Sequence, residues 1–369
     1  MSKKVRYIGA FEDYSGYGEA IRNDIGALLS VGVDVGVKKL RFTPSICDFG
    51  EIGRVCNELP DYPDAKIQIV HTTPNLFLKY CDPEKYNIGR VIWETNLLPP
   101  DFVNGCNVCD EIWAGCEYTK QAVLDSNVKK KVKVVPESIC ANLNIEGKYD
   151  LDLAGHFVFY SIFEWTDRKN PEALIEAYLK EFENNEKVAL VLKTYIDNFD
   201  RKKEAQIVQN ISQIKKKLFG LNSYAQVYIL FAELDKTQIY KFHNSCDCFV
   251  SATRGEGWGI PQVEAMLVEK PVITSDCGGV AEFLESGKNA LLVEGKYRNI
   301  NKNNRNQQWY RKEMLWFEVF EGDLRQKMRW VFENRDEAEK IAKEGRKFCK
   351  KNFSYESVGR QMLEELKKI

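Results

Sequence analysis

The stretch Cys248–Val293 reads CFVSATRGEGWGIPQVEAMLVEKPVITSDCGGVAEFLESGKNALLV, and it decides the fold. It begins with an apolar strand that we expect to end near Ala252, passes through a glycine-rich turn, and enters a helix with Pro261 in its first turn. Open parallel sheets bind their ligands at the carboxyl ends of the strands. The unpaired amides of such a turn and the positive end of the helix favour a pyrophosphate group, and glycines let the backbone approach it.

Two carboxylates belong to this stretch. Glu256 lies in the turn, and Glu264 lies in the helix eight positions later. We expect both to face one crevice, where a carboxylate accepts hydrogen bonds from vicinal hydroxyls of a ribose or a hexose. The alternative is that Glu256 is a solvated turn residue and that Glu264 interacts with the helix dipole. The spacing alone does not choose between these interpretations.

The rest of the chain alternates strand and helix patterns in both halves. Apolar runs such as Ile67–His71 and His156–Ile162 are strand signals, and Asn170–Phe182 has the spacing of a helix. This alternation predicts parallel strands joined by crossover helices, that is, an α/β fold with two Rossmann-like halves. The polar segment Tyr149–Gly155 suits a linker, so we predict domains over residues 1–150 and 151–350 and a C-terminal helix over 351–369.

Length, charge and hydropathy limit the classes of function. The 369 residues suit two domains, and 53 basic against 54 acidic side chains leave a net charge of −1. No overall field favours nucleic acid or a membrane surface, although a nucleic-acid acceptor stays open. The first residues contain no apolar run long enough for a signal peptide, and no window approaches about eighteen apolar residues. We therefore expect a cytoplasmic protein without a transmembrane segment.

The cysteines predict reduced thiols. Eleven is an odd number, and these residues are scattered from Cys47 to Cys349. Cys106, Cys109 and Cys116 lie close together in the sequence, but no neighbouring residue supplies the fourth ligand of a zinc site. Their segment also has the pattern of a buried strand, where a free cysteine packs as a small apolar residue. We expect no metal site.

The segment Lys296–Arg311 reads KYRNINKNNRNQQWYR and is polar, rich in asparagine and without periodicity. This composition predicts a long mobile loop. The loop is either an insertion or a segment that contacts an acceptor.

The opening stretch resembles the E-x7-E motif of the GT-B fold glycosyltransferases, in the large retaining family 4 (glycosyl transferases group 1). Glu256 and Glu264 match its two acidic positions, and GWGIPQVEAM is similar to the family's G-[FW]-G-x-P-x-x-E-A-M. The resemblance spans most of the chain and is strongest over Val250–Val293. It implies two Rossmann-like domains facing an interdomain cleft, an acceptor side over 1–150, and a C-terminal helix that packs back on the N-terminal domain.

The resemblance also implies roles for residues of this stretch. Glu264 would hold the nucleotide ribose, and Glu256 would contact hydroxyls of the donor sugar and belong to the catalytic centre. Amides near Trp258–Ile260 would face the diphosphate or the sugar. The implied donor-binding residues here are Glu256, Gly257, Trp258, Gly259, Ile260 and Glu264.

Positive charge for the leaving diphosphate is predicted just before the helix at Asn170. Arg168 and Lys169 stand there, and two cations beside a diphosphate stabilise the charge that develops as the glycosidic bond breaks. The segment resembles the family's G-R-x(n)-K-[GN] pattern, with Lys169 at the lysine position as a catalytic and donor-binding residue. The family's usual arginine is missing, because the chain reads Ile162-Phe163-Glu164 at that point. Arg168 either substitutes for it or is a surface residue.

The first half resembles the family less closely. Its loop Ser15–Gly18 is similar to the family's glycine-rich first loop, which implies that Gly16 and Gly18 approach the donor phosphate and the acceptor. Any tight strand-to-helix turn also favours glycine. His71 ends a strand, where the family often has a histidine of the catalytic centre. A structural histidine is the alternative.

The resemblance implies transfer of a hexose from a nucleotide-diphosphate sugar, such as UDP-glucose or a GDP-sugar, to an acceptor hydroxyl. Retention would proceed by attack from the front face, with the leaving phosphate taking the proton and with no metal or other cofactor. The acceptor and the oligomeric state stay open. The alternatives are a nucleotide-sugar epimerase of the same architecture and a non-catalytic nucleotide-sugar-binding subunit.

Overall fold

Two parallel sheets of six strands each organise the chain. The computed structural model describes residues 4–42, 49–141, 146–196, 199–218, 224–301 and 309–369. The α/β class and the two Rossmann-like halves that the sequence predicts are therefore confirmed.

The first sheet has the strand order β2-β1-β3-β4-β5-β6. Its central strand β3 is the run IQIVH, and all five of its residues are buried. A continuous apolar run of this kind is expected where helices cover both faces of a parallel sheet. The elements are β1 (Lys4–Gly9), α1 (Gly16–Ser30), β2 (Asp34–Lys39), α2 (Gly50–Glu58), β3 (Ile67–His71), α3 (Phe77–Tyr80), β4 (Tyr86–Val91), α4 (Pro100–Cys106), β5 (Glu111–Ala114), α5 (Glu117–Asp125) and β6 (Lys131–Val134).

The second sheet has the order β12-β11-β10-β7-β8-β9. Its elements are β7 (Phe157–Glu164), α6 (Pro171–Glu181), β8 (Val188–Tyr195), α7 (Glu204–Lys217), β9 (Gln226–Leu230), α8 (Lys236–Ser245), β10 (Cys248–Ser251), α9 (Ile260–Leu267), β11 (Val272–Ser275), α10 (Gly278–Ala281), β12 (Leu291–Val293), β13 (Gly295–Asn299), β14 (Leu315–Val319), α11 (Glu321–Glu333), α12 (Arg335–Phe353) and α13 (Tyr355–Lys367). None of the helices that the structure describes is both long and apolar enough to cross a membrane.

Each sheet belongs to one compact unit. Unit 1 consists of Met1–Asn144, Glu256–Ile260 and Cys349–Ile369, and unit 2 consists of Ile145–Gly255 and Pro261–Phe348. The glycine-rich turn after Gly255 is thus part of unit 1, although it lies within the stretch that forms the last strands of unit 2. No feature of the sequence predicts that Glu256–Ile260 belongs to unit 1.

The C-terminal helix α13 packs on α1 within unit 1. The Tyr355 hydroxyl donates to Oδ1 of Asn23 at 2.9 Å. Gly359 allows the two helices to approach closely, because a Cβ at this position would lie 2.2 Å from the carbonyl oxygen of Ala27.

The structure corrects the long loop that was predicted over Lys296–Arg311. Its first part belongs to β13, which pairs antiparallel with β14 through contacts such as Tyr297 with Phe317. This strand escapes prediction because its four residues after Gly295 are exposed, so no apolar alternation marks it. Residues 302–308 of the predicted loop lie outside the described residues.

Candidate active site

The turn after β10 is tied to the segment Asp167–Lys169 in unit 2. Arg168 Nη1 donates to the carbonyl oxygen of Gly255 at 2.8 Å, and the amide of Arg254 donates to the carbonyl oxygen of Arg168 at 2.7 Å. The structure therefore brings Arg168 and Lys169 to the turn at the carboxyl end of β10. Arg168 braces this turn, a role that the sequence did not reveal.

Asn170 follows Lys169 and has an unusual conformation. Its backbone is left-handed, with φ 53° and ψ 50°, and its side chain is only 1% exposed. Neither polar atom of its amide finds a hydrogen-bond partner among the described residues. Buried polar groups without a partner and left-handed non-glycine residues cluster at functional sites. Asn170 was not predicted as a site residue. The one feature of the sequence that could have indicated it is the Lys-Asn pair that precedes Pro171.

Glu264 lies on α9 and is 7% exposed. Lys236 Nζ, at the start of α8, donates to its Oε1 at 2.6 Å. His243 Nε2 lies 3.9 Å from Oε2, which is longer than a hydrogen bond. The charged contact with Lys236 orients the carboxylate. Lys236 is a candidate that sequence reasoning missed, because no motif marks it and only the fold brings it to Glu264.

The turn Glu256–Ile260 is packed inside unit 1. A Cβ at Gly257 would lie 2.5 Å from Cγ2 of Ile92, and Cys116 Sγ donates to the carbonyl oxygen of Gly257 at 3.1 Å. The Trp258 indole is buried, and its ring centroid lies 5.0 Å from that of Phe353. Packing thus explains why residue 257 is a glycine and residue 258 a tryptophan. The backbone amides of this turn are the groups that we predict to face a ligand.

Glu137 is a second carboxyl group near Glu256. It follows β6 and is 2% exposed, while Glu256 is 9% exposed. Burial raises the pKa of Glu137 to about 8; the charge of Arg90 opposes this rise, and the charges of Asp24 and Glu256 add to it. Glu137 is therefore mostly protonated at neutral pH. Sequence reasoning missed it.

Replacing Glu137 with glutamine should remove a pH dependence of folding. The pKa is about 8 in the folded protein against an ordinary value of 4.5, so between these values the folded state keeps a proton that the unfolded state has lost. The contribution of this group to stability is therefore fully present below about pH 4 and is lost as the pH rises through about 8. From about pH 6 to about pH 7.5, we expect the native protein to lose up to about 1.4 kcal/mol of unfolding free energy per pH unit more than Glu137→Gln. Urea unfolding at both pH values measures this difference, and equal slopes would contradict the raised pKa.

His71 ends β3, and its side chain has no exposed surface. The Tyr7 hydroxyl lies 2.7 Å from Nδ1 of His71 and 2.9 Å from Oδ2 of Asp24, and Arg90 Nε donates to the same Oδ2 at 2.9 Å. Burial lowers the pKa of His71 well below its ordinary value, so the ring is neutral. Its Nε2 finds no hydrogen-bond partner in the part of the chain that the structure describes.

Unit 2 repeats this pairing of tyrosine and histidine. The Tyr160 hydroxyl, on β7, lies 2.6 Å from Nδ1 of His243. Burial lowers the pKa of His243, whose Nε2 lies 3.9 Å from Oε2 of Glu264. The first strand of each unit's sheet thus carries a buried tyrosine that fixes a histidine.

The structure corrects the predicted extent of the first loop, because α1 already begins at Gly16. Gly16 and Gly18 lie in the first turn of α1, because the Ser15 Oγ accepts a hydrogen bond from the amide of Gly18 at 3.4 Å and caps the helix. A Cβ at Gly18 would lie 2.0 Å from the carbonyl oxygen of Asp13, so close backbone packing requires this glycine. Gly16 has nothing within 4 Å of such a Cβ.

The cysteine group that the sequence singled out is buried in unit 1. Cys106, Cys109 and Cys116 are at most 4% exposed, and Cys109 Sγ lies 3.7 Å from Sγ of Cys81. Among the described residues, no group of three or more His, Cys, Asp or Glu side chains is placed to hold a metal ion.

Comparison of the sequence with known families identifies one domain. The family model described as Glycosyl transferases group 1 matches residues 154–306. An uncharacterized glycosyltransferase of Methanocaldococcus jannaschii is 30% identical over 264 residues, which cover 70% of this chain and 60% of the relative. A probable sucrose-phosphate synthase of Thermosipho melanesiensis is 22% identical over 48% of this chain and 40% of its own length. The chain thus spans 60% of the length of the first of these relatives and 40% of the second.

Solved structures share the whole fold. HepE of Anabaena, in complex with UDP and glucose, superimposes with a TM-score of 0.68 at 15% identity, covering 100% of both chains. Sucrose-phosphate synthase of Thermosynechococcus elongatus has a TM-score of 0.69 at 14% identity, covering 99% of this chain and 98% of the other. At these identities the likeness concerns the fold.

Proposed function

Since the chain carries a glycosyl transferases group 1 domain on a GT-B fold, we propose that it transfers a hexose from a nucleotide-diphosphate sugar to an acceptor hydroxyl. Transfer proceeds with retention of the anomeric configuration and without a metal ion. The observation that carries the proposal is the carboxylate of Glu264, fixed by Lys236 on the helix that follows the glycine-rich turn. A fixed carboxylate at this place suits the two hydroxyls of a ribose.

The donor occupies the domain of residues 151–350, and the acceptor binds in the domain of residues 1–150. Glu264 holds the ribose, and Glu256 accepts hydrogen bonds from hydroxyls of the sugar. Residues 351–369 form the C-terminal helix that completes the N-terminal domain. The remaining donor contacts come from Gly16, Gly18, Arg168, Lys169 and the amides of Gly257, Trp258, Gly259 and Ile260.

Lys169 supplies the charge that the reaction needs. The bond between the anomeric carbon and the diphosphate oxygen breaks while the acceptor oxygen bonds to the same face, and the departing diphosphate takes the acceptor's proton. Negative charge therefore grows on the diphosphate in the transition state, where a fixed cation stabilises it. Arg168 assists by bracing the turn through Gly255 and so keeps Lys169 in place. His71 belongs to the catalytic centre on the acceptor side.

UDP-glucose is the donor to test first, because HepE, which has the same fold, has been crystallised with UDP-glucose. We expect Lys169→Ala to lower kcat about 100-fold with this donor, since the loss of one group that stabilises transition-state charge costs about 100- to 1,000-fold. The matched control is Lys340→Ala, which removes an exposed lysine that pairs with Glu337.

The assay separates the competing functions. Transfer or slow hydrolysis of the donor is followed in the presence of a chelator, and the anomeric configuration of the product is read by NMR. An inverted product would overturn retention, and a requirement for added metal would overturn metal independence. Conversion of the donor alone into an epimer would make the protein an epimerase, and tight binding without turnover would make it a nucleotide-sugar-binding subunit.

A further inference from the structure

A cavity of about 230 Å³ lies in unit 1, beside the ends of β1 and β3 and the first turn of α1. Its volume is below the roughly 300–1,000 Å³ of pockets for drug-sized ligands, so it suits a compound of about one sugar ring. The polar side chains that line it are Asp13, Ser15, Tyr17, His71, Thr72 and Thr73.

The lining offers hydroxyls and one carboxylate, and no lysine or arginine is among its described residues. The neighbouring cation, Arg22, donates to the carbonyl oxygens of Phe11 and Asp13 and to the carboxylate of Glu19, which compensates its charge. An anionic ligand would be desolvated beside Asp13 without a counter-charge. An uncharged polyol exchanges its hydrogen bonds with water for bonds with the lining at no such cost.

The hydrogen bonds behind His71 determine which ring nitrogen carries the proton. Burial raises the pKa of Asp24, but the charge of Arg90 and the hydrogen bonds from Arg90 and Tyr7 oppose this rise. Arg90 stays protonated and donates to Asp24, so we take Asp24 as its ionised counter-charge, which only accepts. Tyr7 has one hydroxyl hydrogen, which it therefore gives to Asp24, and its oxygen accepts from Nδ1–H of His71. A neutral imidazole holds one hydrogen, so Nε2 has a lone pair and is an acceptor.

Tyr17 lies beside this imidazole and lines the same cavity. Its ring packs edge-on against the imidazole, with the centroids 5.8 Å apart, in the first turn of α1. Because His71 has no exposed surface, a ligand hydroxyl reaches Nε2 only if a neighbouring side chain moves, and Tyr17 is a side chain of the lining that contacts the imidazole.

We propose that this cavity is the acceptor subsite, and that the acceptor is an uncharged polyhydroxy compound with one hydroxyl donating to Nε2 of His71. The role as acceptor rests on the proposed function. The chemical class of the ligand rests on the cavity itself, that is, on its size, on the absence of lysine and arginine from its described lining, and on its buried acceptor nitrogen.

The test compares uncharged compounds with their phosphorylated counterparts. Glucose and myo-inositol are measured against glucose 6-phosphate and inositol phosphate, by initial rates with UDP-glucose and by calorimetric binding in the presence of UDP. We expect the native protein to prefer the uncharged member of each pair at least about tenfold. Thr73→Lys, which adds a cation to a half-buried position of the lining, should remove or reverse this preference.

Tyr7→Phe tests the hydrogen-bond chain. It should raise the acceptor KM about tenfold and leave the donor Kd unchanged, because Nδ1–H loses its acceptor and the lone pair at Nε2 is no longer fixed. The matched variant Tyr160→Phe alters the equivalent pair in unit 2, so it should change the donor Kd and leave the acceptor KM unchanged.

Three results would overturn the proposal: equal or tighter binding of the phosphorylated compounds, no binding of either uncharged compound, or an unchanged preference in Thr73→Lys. Thr73→Lys keeps the test decisive if Tyr7→Phe fails to fold. Binding of an uncharged compound by a protein that turns over no nucleotide sugar would support the cavity and overturn the proposed function instead.

Discussion

Glu264→Ala is expected to weaken the binding of a nucleotide-diphosphate sugar by about 10- to 100-fold, because a hydrogen bond to a charged group contributes about 1.5–3 kcal/mol. The substitution also leaves Lys236 without its carboxylate in a site where its side chain is only 17% exposed. Glu264→Gln keeps the shape and one acceptor oxygen, so its loss should be smaller. Calorimetry with UDP and UDP-glucose measures both effects.

The control for this prediction is Glu285→Ala, which removes a carboxylate whose side chain is 60% exposed and which pairs with Lys288 at 2.7 Å. We expect no change in donor affinity there. Lys236→Met should weaken binding in the same direction as Glu264→Ala, and the double variant should lose less than the sum because the two side chains act as a pair. Unchanged donor affinity in both Glu264→Ala and Lys169→Ala would refute the donor site.

Asp24→Ala is expected to lower the unfolding free energy by about 3–5 kcal/mol, the largest loss of stability that the structure predicts. Asp24 is the counter-charge of Arg90, and neither side chain has more than 1% of its surface exposed. Removing the carboxylate leaves a buried guanidinium uncompensated. Urea unfolding near pH 6 measures the loss, and a cost below about 1 kcal/mol would contradict the buried pair.

The pH dependence of this variant carries a second expectation. Glu137 interacts with Arg90 and has a pKa of about 8 in the native protein. After Asp24, Glu137 is the carboxyl group with the largest electrostatic influence on Arg90. When Asp24 is gone, the pKa of Glu137 should therefore fall, and the cost of Asp24→Ala should shrink as the pH rises. The matched control is Asp61→Ala, which removes the half-exposed partner of Arg6 and should cost about 1 kcal/mol or less.

The strands were predictable because their signals are local. Ile67–His71 and Glu111–Ala114 have the bounds that their apolar runs indicate, since each run is bordered by polar or turn residues that end it. The antiparallel strand at Gly295–Asn299 was not predictable, because its partner lies beyond residues 302–308 and its side chains are mostly exposed.

The candidate site was predictable only where a motif marks it. Glu256 and Glu264 stand out through their spacing and their glycine-rich surroundings. Lys236 contacts Glu264, which is 28 positions away in the sequence, and Arg90 contacts Asp24, which is 66 positions away. Neither pair could be predicted from the sequence, because only the fold brings its members together. Trp258 belongs to the motif, but its side chain packs against Phe353, and the motif alone does not predict this contact.

The tyrosine on the first strand of each sheet holds one buried histidine, and these two histidines can report on ligand binding in solution. The chain has only three histidines, of which His156 is exposed and the other two are held by Tyr7 and Tyr160. A spectrum of nitrogen-15-labelled imidazoles would therefore contain three sets of signals. One set comes from the solvent-exposed His156, one from His71 in unit 1 and one from His243 in unit 2. Titration with UDP should move the signals of His243, and titration with a sugar alone should move those of His71. Occupancy of each half would thus be read separately in the unmodified protein, without an added probe.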